Sequence, residues 1–113
     1  MESDFLIFQN QTIEEAIELI QSNESRCVIL ITDNYKIIGT ISEGDILRAL
    51  LKGINVKSLA KNIANLNFSY IKEKHENNDL KNLFNKGITL IPVITHDRKI
   101  IDAISYLDFF NER

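Results

Sequence analysis

The 113-residue chain carries 13 Lys and Arg against 16 Asp and Glu, with 44% apolar residues. That is enough for one real core and not two independent ones, and the net charge of −3 lacks the basic surplus of a nucleic-acid-binding surface. The single cysteine, Cys27, excludes an internal disulfide framework, and the acidic start MESDFLIF with no apolar run of about 18 residues excludes a signal or membrane segment, so a cytoplasmic protein is expected.

The first periodic stretch is TIEEAIELIQ, from Thr12. Ile13, Ala16, Ile17 and Ile20 recur at helical spacing, and Thr12 with Glu15 forms a capping box, so an amphipathic helix is predicted. CVILIT is short, continuous and β-branched, DNYK has turn chemistry and IIGTIS is strand-like again; together they predict an antiparallel hairpin that buries the Cys27 thiol. A second helix is expected from Ser42 or Glu43, with Ile46, Leu47, Leu50 and Leu51 on one face and Gly53 as its stop. Within the connection that follows, LNFSYI reads as a short strand and IKEKHENN as a solvated linker. NDLKNLFNKG then predicts a helix ending at Gly87, TLIPVIT and KIIDAIS two strands around the turn HDRK, and YLDFFNE a last helix.

The order therefore repeats. Cys27–Leu47 lies on Leu90–Phe110 without a gap, at a constant offset of 63 that pairs Ile31 with Ile94, Ile37 with Ile100, Ser42 with Ser105 and Asp45 with Asp108. The same offset carries Ile17 and Ile20 onto Leu80 and Leu83. The reading is an α/β (α+β) fold of two βαββα-like repeats, 1–58 and 59–113, sharing one core about a pseudo-twofold axis, because about 55 residues alone bury too little surface. Such an axis leaves two related clefts.

Ser-x-x-Asp occurs at Ser42/Asp45 and again at Ser105/Asp108, and it has two readings. As a structural device, the serine caps a helix whose dipole favours the aspartate. As a ligand site, a strand end feeding a helix suits a phosphate-bearing molecule: the carboxylate accepts a ribose cis-diol, the serine meets a phosphate oxygen, and apolar strand edges sandwich a purine. Arg48, one turn after Asp45, either pairs with that carboxylate, reaches a phosphate or is simply solvated. The second copy has Asn111 there, and Asp102 in place of Gly39. His75 and His96 lie apart in polar segments, so no metal is expected, and no nucleophile–base pair or P-loop suggests an enzyme. Tyr106, Phe109 and Phe110 form an aromatic patch suited to core or dimer packing.

CVILITDNYKIIGTISEGDILRAL and LIPVITHDRKIIDAISYLDFF, with the strand proline Pro92, resemble the cystathionine-β-synthase (CBS) domain, and nearly the whole chain resembles a tandem CBS pair, or Bateman module. The resemblance implies that each repeat can bind AMP, ADP, ATP or S-adenosylmethionine, with Asp45 and Asp108 on ribose and Ser42 and Ser105 at the Ser/Thr of the Gly-h-h-Ser/Thr-x-x-Asp pattern. It implies adenine contacts from Ile7, Phe8, Val28, Tyr70, Ile71 and Ile91. It further implies a regulatory, non-catalytic role, a homodimer formed through helices, and an attached or partner effector domain. The acidic start and SEGDILRALLKG are similar to CBS pairs ahead of sugar-phosphate nucleotidyltransferases, so this chain is expected to be the N-terminal piece of a longer polypeptide. Two other readings stand beside it. One is a ligand-free dimerisation scaffold; the other is an S-adenosylmethionine module, whose sulfonium suits Asp102 better than Gly39 does. If one cleft is occupied, the expectation is the one built around Asp45.

Overall fold

The computed structural model describes residues 3–111. A 3₁₀ turn (Ser3–Phe5) leads into β1 (Leu6–Phe8), α1 (Ile13–Asn23), β2 (Cys27–Ile31), β3 (Ile37–Ser42) and α2 (Glu43–Leu51). After a second 3₁₀ turn (Ala60–Ile63) the series returns as β4 (Ile71–Lys72), α3 (Asn77–Phe84), β5 (Leu90–Ile94), β6 (Ile100–Ser105) and α4 (Tyr106–Asn111). Each repeat builds a three-stranded sheet, β1-β2-β3 or β4-β5-β6, whose first pair is parallel and second antiparallel.

The two hairpins agree to the residue. Cys27 faces Ser42 as Leu90 faces Ser105, and the bulge falls between Leu30 and Ile31 in one, Val93 and Ile94 in the other. Tyr35 and Arg98 both take left-handed φ, 65° and 70°, in the connecting turns. Those turns meet: Ile37 N–H donates to the Arg98 carbonyl and Ile100 N–H to the Tyr35 carbonyl, each at 2.9 Å, around a Lys36–Lys99 bridge. Exchanging the repeats turns one bond into the other, so the pseudo-twofold axis runs between Lys36 and Lys99.

Strand alternation divides the core. Val28 and Leu30 pack with Ile13 and Ala16 of α1, whereas Ile29 and Ile31 enter a cluster with Leu90, Ile94 and Ile100 of the second repeat. A third cluster holds Ile91, Val93, Leu80, Phe84 and Phe109. Because each fully buried branched side chain contributes about 1.5–3 kcal/mol, the shared cluster ties the folding of the two repeats together.

Four expectations are corrected. First, upstream of the hairpins the offset is 64: the buried Ala16 and Ile20 correspond to the buried Leu80 and Phe84, not to residues paired through Ile17 and Leu83. One residue is lost on the way to the strand, since seven positions separate Ile20 from Cys27 and six separate Phe84 from Leu90. Second, α2 buries Ile46 and Ala49, while Leu47, Leu50 and Leu51 are 60%, 39% and 87% exposed, because only the Ile46/Ala49 stripe meets the sheet and α1. Third, LNFSYI reaches strand geometry only at Ile71; fourth, α3 begins inside IKEKHENN, at Asn77.

The residues before β4 are held differently. Asn65 exchanges backbone bonds of 3.1 and 2.8 Å with Thr40, and the N–H groups of Ile13 and Glu14 donate to the carbonyls of Ser58 and Val56. Segment 54–65 thus lies on the first repeat and covers the outer edge of β3, and the expected 58/59 division falls inside it. Pro92 fits a central strand for a local reason. It occupies the place of Ile29, whose counterpart partner Thr40 bonds outward to Asn65, and β4 pairs only from Val93 onward, so no strand needs a donor from Pro92. Among the described residues no helix is long and apolar enough to cross a membrane.

Candidate functional site

Ser42 ends β3 and caps α2. Its Oγ accepts from Asp45 N–H at 3.2 Å, while Asp45 Oδ2 accepts from Ser42 N–H at 2.9 Å and from Ser42 Oγ–H at 3.0 Å. The box satisfies helix-start donors that would otherwise be orphaned. Asp45 Oδ1 accepts from Arg48 Nη2 at 2.7 Å. In the second repeat Ser105 Oγ accepts from Asp108 N–H at 3.0 Å, but the Asp108 carboxylate has no hydrogen bond among the described residues. The same motif therefore carries a closed carboxylate in one copy and an open one in the other.

A cleft of about 220 Å³ opens between the repeats beside Ser42. Cys27, Thr40 and Ser42 line it from the first hairpin, Phe68 and Ser69 from the connection, and Gly87 to Leu90 from the second repeat. Among the described residues, no Lys, Arg, Asp or Glu lines it. Gly87 belongs there because its φ of 91° is left-handed. Burial, reinforced by the charge of Asp45, pushes the Cys27 thiol up to about 12, against a weaker opposing hydrogen bond at the Ile41 backbone. It is a protonated wall of the cleft and not a nucleophile.

The pseudo-twofold carries Phe68 and Ser69 onto Asp4 and Phe5, and Gly87 onto Glu24. Those residues line a second hollow, of about 270 Å³, with Ser22, Asn23 and Asp108. Equivalent positions thus build two clefts of different electrostatic character: a neutral one beside Ser42, and an acidic one walled by Asp4, Glu24 and Asp108.

Asp102, which stands in place of Gly39, has a local origin. Its Oδ1 accepts from Ala103 N–H at 2.8 Å on the outer edge of β6, and it lines a separate hollow with His75 and Asp108. At the same place in the first repeat Thr40 N–H donates to the Asn65 carbonyl, and a Cβ on Gly39 would stand 2.6 Å from that oxygen. Glycine is required where segment 54–65 lies against the strand, and aspartate is tolerated where no described residue does.

Of the expected adenine contacts, Ile7, Val28 and Ile91 are fully buried and Ile71 nearly so. Apolar strand residues here serve the core. Phe8 instead lines a hollow of about 570 Å³ between β1 and α1, edge-to-face with Tyr35 at 5.7 Å. That hollow contains neither Ser-x-x-Asp motif, and its Glu15 is spent in a capping box, where the Thr12 N–H above all holds the carboxyl below its usual range. Tyr70 lies 5.9 Å from Phe68, with the Arg98 guanidinium over both rings at 6.0 and 5.6 Å. Phe68, Ser69 and the 87–89 loop are the cleft residues that the sequence reading missed. Among the described residues no group of His, Cys, Asp and Glu could hold a metal ion.

Residues 1–52 match the family model described as CBS domain. An uncharacterized protein of Helicobacter pylori J99 is 44% identical over 50 residues, which is 42% of this chain and 15% of that protein. Among solved structures, a CBS domain pair/ACT domain protein of Thermotoga maritima matches with a TM-score of 0.80 at 18% identity, over 98% of this chain and 89% of its own. A CBS domain protein of Pyrobaculum aerophilum complexed with AMP matches with a TM-score of 0.73 at 19% identity, over 91% and 80%. At these identities the structural likeness is one of fold.

Proposed function

Starting from a chain whose residues 1–52 are a CBS domain and whose fold is that of a CBS-domain pair, we propose a non-catalytic regulatory module that senses an adenine nucleotide in the cleft beside Ser42 and Asp45. The observation that carries this reading is the neutral inter-repeat cleft opening at the Ser42 end of α2. Asp45, three residues on from Ser42 at the cleft's edge, turns to take the ribose hydroxyls, the phosphate lies beside Ser42 at the start of α2, and Phe68 is at hand to stack on the base. The cleft lies below the ~300–1,000 Å³ of common ligand pockets and offers no Lys or Arg among its lining residues, which favours AMP over ADP or ATP. The AMP-bound relative supports the same choice.

The acid wall of the second hollow favours another occupant. Asp4, Glu24 and Asp108 disfavour a phosphate and suit a cationic adenosyl compound such as S-adenosylmethionine. Exposed Leu47 and Leu50 beside Ile17, with Tyr106, Leu107 and Phe110 on α4, support a homodimer formed through these helices. The effector it regulates is an attached or partner domain, for which a sugar-phosphate nucleotidyltransferase in the cytoplasm is our candidate. Repeats 1–58 and 59–113 act as one unit because they share a core.

Calorimetric titration with AMP, ADP, ATP and S-adenosylmethionine tests the reading, with Asp45→Ala and Asp108→Ala alongside. Saturable AMP binding lost with Asp45→Ala alone is expected. No heat with any of the four, from folded protein, would leave a ligand-free dimerisation scaffold and the serines as caps.

A further inference from the structure

We propose that Arg48 is a latch on the first cleft: it competes with the ligand for Asp45 and thereby favours a phosphorylated nucleoside over the bare nucleoside. The inference rests on the nucleotide reading above. A carboxylate has about four acceptor positions. On Asp45, Ser42 N–H and Ser42 Oγ–H fill two at Oδ2, and Arg48 Nη2 fills a third at Oδ1. A ribose cis-diol donates two protons, so one of the three bonds must yield. The capping bonds hold the start of α2. Arg48 is a long side chain, 67% exposed, in an i,i+3 ion pair of a kind that is weak in water. It is the group that gives way.

Local sequence builds the latch. The guanidinium folds back over Gly44, where a Cβ would stand 3.2 Å from Nη1. The second repeat has Leu107 and Asn111 at the positions of Gly44 and Arg48, and there the uncovered Asp108 lines its hollow. Asp45, ion-paired to Arg48, is 19% exposed, and with the pair closed neither residue lines the cleft beside Ser42.

The two ligands then differ. Bare adenosine must break the ion pair without replacing it, so its binding strengthens as salt screens the pair. AMP gives the displaced guanidinium a phosphate as its new partner, and the loss is offset.

The test is a titration of the 113-residue protein and its Arg48→Met and Arg48→Gln variants with adenosine and with AMP, at low ionic strength and at about 1 M salt, where the Debye length is about 3 Å. Wild-type affinity for adenosine should rise with salt by up to about fivefold, the reach of an exposed ion pair. Both variants should bind adenosine that much more tightly at low salt, respond less to salt, and prefer AMP by a smaller factor. Low-salt adenosine affinity in both variants equal to or weaker than wild type overturns the latch and leaves the nucleotide site standing. Absence of AMP and adenosine binding in all three proteins overturns the nucleotide reading, and the latch with it.

Discussion

The outer edges of the two hairpins are the same strand in two circumstances. β3 has a neighbour, Asn65, which takes the Thr40 N–H and leaves no room for a side chain at Gly39. At β6 the equivalent N–H, of Ala103, is satisfied by the carboxylate of Asp102 from within its own strand. The clefts differ too, with Gly87 and Phe68 in one standing where Glu24 and Asp4 stand in the other. Duplicated backbone keeps its register, and at the strand edge the difference between the copies sits where one has a neighbour, Asn65, at a place where the other bonds within its own strand.

The largest effect is expected where the comparison vanishes, in the cluster that belongs to both repeats. Ile94→Ala, at a side chain 1% exposed, should cost about 2–5 kcal/mol and lower a single thermal transition followed by circular dichroism. Two separated transitions would show that the repeats do not share a core.

Exchanging the edge residues comes next. Gly39→Asp drives a Cβ to 2.6 Å from the Asn65 carbonyl oxygen and should cost about 1–3 kcal/mol, whereas Asp102→Gly should cost about 0.5–1 kcal/mol, the price of a strand glycine. Equal losses in urea denaturation would contradict the account of why the copies differ there.

Removing the two aspartates probes the motif itself. Asp45→Ala loses the capping bonds to Ser42, worth about 1 kcal/mol, while Asp108→Ala should stay within about 0.5 kcal/mol of wild type. A larger loss at Asp108, measured by the same denaturation, would mean that its carboxylate is as engaged as that of Asp45.

The smallest effect at neutral pH comes from Cys27, whose counterpart is Leu90. Burial raises its folded pKa from the ordinary 9.0 to about 12. The contribution is therefore fully present below 9.0 and is lost as pH rises toward 12, because only the unfolded chain ionises freely. Between those values the stability of wild type should fall more steeply with pH than that of Cys27→Ala; parallel curves would show an accessible thiol.

Hairpins, caps and helix stops were legible because their causes are local. β-branched runs, Thr12 with Glu15, Ser42 with Asp45, and the left-handed Gly53 and Gly87 each act within a few residues. The open leucines of α2 were not, since periodicity marks an apolar stripe without saying whether another part of the chain covers it. The adenine candidates Ile7, Val28, Ile71 and Ile91 lie in the core, because strand residues at those positions pack against a helix or sheet face that the sequence pattern does not identify. Phe68 and Ser69 stayed hidden for a geometric reason: their approach to Ser42 depends on how the repeats dock, and their relation to Asp4 and Phe5 emerges only at the offset of 64 that a gapless alignment does not see.

The central claim is that one of two equivalent clefts binds a nucleotide. Amide chemical-shift mapping of the labelled protein titrated with AMP tests it most directly. The account predicts saturable shifts at Thr40, Ser42, Ser69 and the 87–89 loop, with Phe5, Ser22 and Glu24 unmoved; shifts of equal size in both sets, or in the second set alone, would contradict it.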